Sequence, residues 1–354
     1  MIEINETYEV GEVIEIISQQ TFSTDGRSFY VQTVKVKPNS STEEQIITLG
    51  SEFQPLNENQ RLNVGSKVII SQQPSMENQT QIVVNDTYRI PVLMSLAVIF
   101  TFLVIMIGGK RGLFSIMGMI FSLFVLISFI VPHILSGDNP FLITLIGASV
   151  TSVVTMYVSH GFKRQTHIAL ISMMICLGFA ALLSSTAVEL GHFVGLGSED
   201  ASFLQFGSAQ KINLQGLLLA GILLGTLGIL DDITLAQTAV IEQLKAVNKK
   251  LDFSELYFRG LEVGKDHVAS LVNTLIFAYA GTSLPLFLLF TLYRTQPNWV
   301  ILNSEIVAEE IIRTLVGSIA LIMAVPITTV IAAYWITRKN VKVEVIGGFR
   351  DHGH

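Results

Sequence analysis

Charged side chains are scarce in this sequence. Asp, Glu, Lys and Arg make up 14% of its 354 residues, whereas a soluble globular domain carries about 25%. Hydrophobic residues reach 50% instead, which indicates several membrane spans and leaves room for one small soluble domain. No basic face with interleaved aromatic residues occurs, so no nucleic-acid partner is expected. The first expected partner is therefore the lipid bilayer.

Several chemical motifs are also missing. The single cysteine, Cys176, excludes a disulfide within the chain. No nucleophile elbow, phosphate-binding glycine loop or zinc-spaced cluster occurs, and Gly108-Gly109-Lys110 lacks the Walker spacing, so an ATPase is not supported. Residues 1–20 contain no signal peptide, because the chain starts acidic where a basic start is typical. We expect either a leading membrane segment ahead of the sequence shown, or export of the first domain as a translocated tail.

Residues 1–88 form a domain of short strands. Apolar and polar residues alternate there, and turn residues separate the strands at Asp25-Gly26, Pro38 to Ser40, Asn63 to Gly65 and Gln73-Pro74. Such a pattern predicts a small β barrel of the OB or SH3-like kind, and we interpret it as an accessory domain without chemistry of its own. The predicted strands are residues 8–17, 28–37, 45–49, 66–71 and 80–88.

Residues 89–337 carry the apolar segments. Each is close to the roughly 20 residues that a helix needs to cross the hydrocarbon. We predict a membrane all-α helical bundle of about seven transmembrane helices, with an amphipathic helical excursion at 236–263 that lies on the membrane surface or packs under the bundle. A tail follows at 338–354. The predicted spans are residues 92–107, 113–134, 141–158, 166–188, 214–235, 268–293 and 306–337.

Lysine and arginine predict the orientation. They cluster in one set of connections, for example at Lys110-Arg111, Lys163-Arg164 and Lys249-Lys250. The other set holds few, such as Arg89, Lys211, Arg294 and Arg313. Because basic loops stay on the cytoplasmic side, the β domain is predicted to be extracytoplasmic and the excursion and tail cytosolic.

Two acidic motifs at the ends of neighbouring spans are the candidate site. Asp231-Asp232 lies about 24 Å along a helix from Gly216 at roughly 1.5 Å per residue, and Asp266-His267 opens the next span at the same inner edge. Ionisable residues inside a membrane are functional by default. We expect Asp231 or Asp232 to reach His267 directly or through one ion or water. The predicted ion- or substrate-binding set is Asp231, Asp232, Gln237, Glu242, Asp266, His267, Asn273, Thr274 and Tyr279, with Asp231, Asp232 and His267 as possible metal ligands.

The surroundings of these motifs leave two structural alternatives open. Gly228 would unwind the helix just before the carboxylates, as in transporter ion sites, or the aspartates would simply cap a helix that starts at Ile233. Four glycines would also let another helix approach the fifth span closely, within the chain or in a second copy. They are Gly216, Gly221, Gly225 and Gly228. Elsewhere, Glu309 and Arg313 are four residues apart and are expected to form an ion pair.

The same motifs carry a resemblance to a known family. Gly228 to Asp232, followed by Gln237 and Glu242, and Gly264 to His267, followed by Asn273-Thr274, Tyr279 and Pro285, resemble the YibE/F-like family of bacterial membrane proteins. Gly317-Ser318, Pro326, Tyr88-Arg89 and the turn at 109–113 fit as well. The resemblance implies a multi-pass protein of the bacterial cytoplasmic membrane, with a membrane segment usually preceding the β domain. The family is often taken for transporters.

Three functions remain open from the sequence. The first is an ion- or proton-coupled transporter, in which Asp231, Asp232 and His267 bind the coupling cation and polar residues of the next span line the path. The second is a membrane-embedded hydrolase of a lipid-linked substrate, in which a divalent ion held by these residues and Asp266 activates water. The third is a scaffold whose exported domain binds an envelope partner. A bound monovalent or divalent cation is the expected cofactor, and a homo-oligomer or a paralogous membrane subunit the expected assembly.

Overall fold

The computed structural model describes residues 7–24, 27–39, 43–51, 54–74, 80–207, 212–292 and 297–338. The chain forms two compact units, Met1–Leu103 and Val104–His354. The first unit contains the β-sheet and the second contains most of the helices. Lys211, Arg294 and the predicted tail beyond Arg338 lie outside the described residues.

The N-terminal sheet is an antiparallel half-barrel. Its strands are β1 (Thr7–Thr24), β2 (Arg27–Pro38), β3 (Gln45–Leu49), β4 (Leu56–Asn57), β5 (Lys67–Pro74) and β6 (Thr80–Thr87). The strand order is β3-β2-β1-β5-β6, and β4 pairs with β2. Register shifts after Val13 and Ile16 bend β1, which lets one long strand pair with β5 at its start and with β2 along the rest.

The predicted strands are present, and the alternation that predicted them fills the core. Buried aliphatic residues on alternate positions pack on the concave side, among them Val34, Val36, Val68 and Ile70. The turn at Asn63 to Gly65 is confirmed, but the turn at Gln73-Pro74 is wrong, because β5 continues through Pro74 to pair with Thr80. The turn at Asp25-Gly26 lies outside the described residues. A closed barrel is not formed by the paired strands that the structure describes.

An ion pair ties the end of β6 to the residue before the first helix. Arg89 Nη1 donates to Asp86 Oδ2 over 2.6 Å. This hydrogen bond, with a second from the backbone N–H of Thr87, holds the pKa of the exposed Asp86 carboxyl below its ordinary value. The sequence Asp-Thr-Tyr-Arg therefore fixes the point where strand becomes helix.

The helices form most of the described chain. Their apolar residues recur on all sides, as expected for helices that bury one face in protein and offer another to lipid. They are α1 (Ile90–Val125), α2 (Val131–Leu135), α3 (Pro140–His160), α4 (Arg164–Leu190), α5 (Glu199–Gly207), α6 (Leu214–Val247), α7 (Phe253–Thr282), α8 (Leu284–Leu292), α9 (Asn298–Asn303) and α10 (Glu305–Arg338), and a π-helical turn (Leu126–Ile130) joins α1 to α2.

Within the described ranges, five helices are long and apolar enough to cross a bilayer, or six if α7 and α8 count as one bent span. The first of them, Ile90–Leu135, contains a break at Gly109, whose φ of 56° is not helical. An added Cβ at Gly112 would overlap the Val104 carbonyl oxygen, so the chain folds back sharply around Gly109. The seven predicted spans correspond to these six segments with the two arms of α1 counted separately, and the number of crossings stays a prediction.

α6 is one uninterrupted helix of 34 residues. The unwinding predicted at Gly228 is therefore wrong, and so is a helix start at Ile233 capped by Asp231 and Asp232. The cap of the next helix is Asp252 instead, whose Oδ1 accepts the Glu255 N–H over 2.8 Å. The segment predicted as an excursion consists of the end of α6, a short loop and the start of α7. Its apolar residues Ile241, Leu251 and Leu256 pack under the bundle against α4 and α10.

Two prolines have different effects on the last helices. The chain bends by 63° between α7 and α8, at Ser283, because Pro285 lacks the N–H that would continue α7 and fits the first turn of a new helix. α10 instead runs through Pro326 without a break. Neighbouring helices hold it there, since α10 packs against α4, α6 and α7.

Small residues let α7 approach α6 and α10. Gly260 and Gly264 are buried four residues apart on one face of α7. Added Cβ atoms would overlap Ile241 at the first position and Val325 at the second. The buried Gln237 of α6 lies at this contact, and its Nε2 donates to the Gly260 carbonyl oxygen and to Thr329 Oγ1, both over 2.8 Å. One amide thus joins three helices.

Replacing this amide should weaken the bundle. Gln237→Leu leaves the buried Gly260 carbonyl without its side-chain donor, which should cost about 1–3 kcal/mol and lower the midpoint of thermal unfolding in detergent. Gln243→Leu is the matched control, because Gln243 is exposed on the same helix. Equal midpoints for Gln237→Leu and Gln243→Leu would contradict the structural role of Gln237.

A loop clamp connects the start of α10 to the loop after α4. Glu305 Oε1 accepts the N–H groups of Val194 and Gly195 over 2.7 and 2.9 Å, and Glu309 Oε1 accepts that of Gly197 over 2.9 Å. Glu309 is only 5% exposed. The predicted Glu309–Arg313 pair is wrong: Arg313 pairs with Glu310 over 3.3 Å, whereas the Glu309 carboxylate accepts the backbone N–H of Gly197.

Candidate functional site

Asp231 borders a cavity of about 230 Å³ inside the helical unit. α1 after its break, α3, α4 and α6 form the walls. Most of the polar lining consists of hydroxyl groups, and Asp231 is the one charged residue among the lining side chains that the structure describes. The lining residues are Ser115, Gly118, Met119, Ser122, Thr151, Ser152, Thr155, Ser159, Met173, Leu227, Gly228 and Asp231.

The straight course of α6 separates its two aspartates. Successive side chains on a helix point about 100° apart, so Asp231 turns toward the cavity while Asp232 is exposed. Asp231 Oδ1 is buried and has no hydrogen-bond partner among the described residues. Leaving a buried carboxylate oxygen unpaired is costly. An unpaired oxygen on a side chain that lines a cavity therefore indicates a place where a ligand binds.

The hydroxyl groups present oxygen acceptors to this cavity. Ser122 Oγ donates to the Gly118 carbonyl over 3.0 Å, and Ser152 Oγ donates to the Ala148 carbonyl over 2.7 Å. A hydroxyl has one donor and two acceptor lone pairs. Because helix carbonyls take the protons of these two hydroxyls, their lone pairs remain free, and together with the carboxylate they suit a cation or a proton donor.

Close helix packing creates the walls of the cavity. An added Cβ at Gly118 would lie 3.3 Å from Ser159 Oγ and 3.6 Å from Thr155 Cβ, so the backbone of α1 packs against side chains of α3 there. Gly228 is different, since an added Cβ would meet nothing within 4 Å. The missing side chain at Gly228 is therefore part of the open space beside Asp231.

Sequence reasoning missed the hydroxyl residues of this site. Their signal was present as two polar stripes on otherwise apolar helices: Ser115, Gly118 and Ser122 recur at intervals of three and four, and Thr151, Thr155 and Ser159 at intervals of four. Such spacing places side chains on one helix face. Only the structure shows that both stripes face the same carboxylate.

The other predicted site residues lie apart from this cavity. Gln237 forms the three-helix contact described above. The hydroxyl of Tyr279 lies near Gly225 and Gly317, between α6 and α10, and Glu242 is half-buried within reach of the charge of Arg164. Asp232, Asp266, His267, Asn273 and Thr274 are exposed.

The structure does not bring the predicted metal ligands together. Asp231, Asp232 and His267 all lie in the part of the chain that the structure describes. In that part, no group of three or more His, Cys, Asp or Glu side chains could hold a metal ion. The reason is geometric: Asp231 faces inward and its two predicted partners face outward from different helices. The charge of Asp232 acts on His160 at the end of α3.

Two of the four glycines of α6 host a close neighbour. An added Cβ at Gly216 would lie 3.0 Å from Pro140 of α3, and one at Gly225 would lie 2.8 Å from the Tyr279 hydroxyl of α7. Gly221 and Gly228 meet no described atom within 4 Å. The predicted close approach therefore occurs within the chain at Gly216 and Gly225.

Several long apolar helices and a carboxylate enclosed among them define the class: these features fit a membrane protein with an internal polar site. The chain belongs to the YibE/F-like family, whose model matches residues 96–338. The match covers the helices that build the cavity and begins after the β-sheet. No curated protein matched the chain, and no solved structure matched it.

Proposed function

We propose that this protein is a transporter coupled to a monovalent cation, either Na⁺ or H⁺, and that Asp231 binds the coupling ion. The observation that carries the proposal is the buried, unpartnered oxygen of Asp231 at a cavity lined by hydroxyl groups. Ionisable residues that face the interior of a membrane bundle mark ion pathways.

The composition of the cavity supports a singly charged ion. Oxygen ligands suit hard cations, but Ca²⁺ is usually held by several carboxylates and Mg²⁺ keeps much of its water. This cavity offers one carboxylate and neutral hydroxyls among its described lining residues. One positive charge balances that carboxylate, and the second reading, a divalent hydrolase centre, gains no ligand set here.

The basic residues support an opening toward the cytoplasm. Ser159 lines the cavity near the end of α3, and His160, Lys163 and Arg111 follow in the adjacent cleft. By the rule that basic loops stay inside, we assign this end to the cytoplasm of a bacterial membrane and the β-sheet to the opposite side.

The proposal is tested on the purified full chain. Radioactive sodium binding in detergent and proton movement into liposomes loaded with a pH-sensitive dye measure the two candidate ions. We expect saturable sodium binding at alkaline pH, or protein-dependent proton flux that follows an imposed gradient. If neither signal exceeds that of protein-free samples, ion coupling is excluded.

The exposed polar face of α7 supports a second copy as partner. Asp266, His267, Asn273 and Thr274 are exposed on a helix of the apolar unit, and polar side chains facing lipid are costly. We expect Asn273→Cys to form a disulfide-linked dimer in membranes, and Leu182→Cys, on the exposed apolar side of α4, to stay monomeric. Monomers in both variants would exclude contact between copies at this face.

A further inference from the structure

A second cavity, of about 320 Å³, lies beside the first and shares Ser159 with it. Its described lining contains the cationic Arg111 and Lys163 and the imidazole of His160, with no carboxylate among them. The remaining lining residues are Gln165, Thr166, Leu235 and Gln243. We call it the basic cleft. It contains hydrogen-bond donors of several kinds, which is the opposite of the acceptor-rich cavity at Asp231.

The loop between α3 and α4 holds one wall of the basic cleft in place. Gly161 ends α3 with a φ of 77°, and Phe162 stacks on Tyr157 with ring centroids 4.4 Å apart. The Tyr157 hydroxyl is hydrogen-bonded to His167 Nδ1 over 2.6 Å. Tyr157 thus contacts Phe162 on one side of Lys163 and His167 on the other. These contacts hold the backbone from which Lys163 reaches the cleft.

The two positive charges of the basic cleft come from different elements. Lys163 lies in the loop after α3 and Arg111 lies in α1, and both charges act on the imidazole of His160. Asp232 also acts on His160 but is exposed and does not line the cleft. Arg164, the neighbouring cation, donates to the Trp335 carbonyl. Two positive charges therefore line a space that none of the described carboxylates lines.

We propose that the basic cleft binds an oxyanion of the phosphate class, either a free phosphate or the headgroup phosphate of an anionic lipid. A guanidinium pairs with two phosphate oxygens at once, and an ammonium supplies a point charge. The amide of Gln243 and the hydroxyl of Thr166 add neutral donors around the remaining oxygens. Gln165 Nε2 donates to the Leu235 carbonyl over 3.4 Å and has a second N–H for the anion. The site is independent of ion coupling at Asp231, because the two cavities share only Ser159.

Phosphate binding to the purified full chain in a neutral detergent tests the free anion. We measure it by calorimetric titration with inorganic phosphate. Arg111→Gln and Lys163→Gln should each weaken binding about 10- to 100-fold, the effect of losing a charge-assisted hydrogen bond. Lys110→Gln is the matched control, since Lys110 adjoins Arg111 in the chain but does not line the cleft. Asp231→Asn should also bind phosphate like the wild type, even if ion coupling is lost.

Nanodiscs distinguish the lipid source. Native mass spectrometry of the protein from discs of phosphatidylcholine with phosphatidylglycerol should show retained anionic lipid that Arg111→Gln loses and Lys110→Gln keeps. Retained lipid without binding of inorganic phosphate assigns the cleft to a headgroup, and the reverse result assigns it to a free anion. If neither ligand depends on Arg111 and Lys163, the cleft is not an anion site.

Discussion

Asp231→Asn should lower sodium binding or proton flux by about 30-fold or more, the effect of removing one partner of a buried charge interaction. The substitution keeps the shape of the side chain but removes the charge that balances the cation. It should not unfold the protein, because Oδ1 of the wild-type carboxylate is buried without a hydrogen-bond partner among the described residues and a neutral amide is cheaper to bury. The thermal unfolding midpoint should stay the same or rise.

The neighbouring aspartate supplies the control for this result. Asp232→Asn makes the same change of charge one residue later on the same helix, but Asp232 is exposed and does not line the cavity. We expect its sodium binding or proton flux to stay within about twofold of the wild type, as for a screened surface charge. Equal losses in both variants would indicate a general electrostatic effect, and no loss in Asp231→Asn would remove Asp231 from the mechanism.

Gly195→Ala should have the largest effect on stability. Gly195 has a φ of 87°, which an L side chain rarely adopts. An added Cβ would also overlap the Leu214 carbonyl and lie 2.8 Å from the Gln215 nitrogen. Backbone atoms at the start of α6 cannot rotate away as a side chain can, so we expect a loss of about 3 kcal/mol or more, the upper range for single substitutions, and little folded protein after purification.

Gly161→Ala separates backbone strain from overlap. Gly161 has a similar φ of 77°, but an added Cβ would meet none of the described atoms within 4 Å. It should cost only the strain of a backbone conformation that is essentially restricted to glycine, with φ 77° and ψ 173°, about 1–3 kcal/mol. Yield of monodisperse protein by gel filtration, with the unfolding midpoint, compares the two. If Gly195→Ala is no worse than Gly161→Ala, the loop clamp is looser than the structure shows.

Local patterns in the sequence were enough to predict the strands and the family. The alternation of apolar and polar residues predicts strands β2, β3 and β5. The cost of placing a carboxylate beside lipid selects Asp231 as a candidate site residue. The turn at Asn63 to Gly65 followed from its residue types. These features depend on neighbours within a few residues, where spacing and chemistry are directly readable.

Contacts between distant residues could not be predicted in the same way. Glu309 has a cation four residues away, yet its carboxylate bonds Gly197, which is 112 residues distant. Asp231 or Asp232 was expected to reach His267, directly or through one ion or water, but the sequence of α7 does not say how deeply His267 lies in the bundle. The structure leaves His267 exposed, although it follows the buried Gly260 by seven residues and so lies near the same helix face. The sequence likewise does not show that the hydroxyl stripes of α1 and α3 line the same cavity, because this depends on how the two helices pack.

The unbroken course of α6 restricts how an ion could reach Asp231. At roughly 1.5 Å per residue, its 34 residues form one helix of about 51 Å that stays continuous through Gly228 and Asp231. Gln237 bonds it to two neighbouring helices. The structure therefore shows no break in α6 that could serve as a gate. Helices end or break instead at two glycines with positive φ. Gly109 precedes the second arm of α1, and Gly161 follows α3. Under ion-coupled transport, we expect the second arm of α1 and α3 to move relative to α4, α6 and α10, which pack against one another.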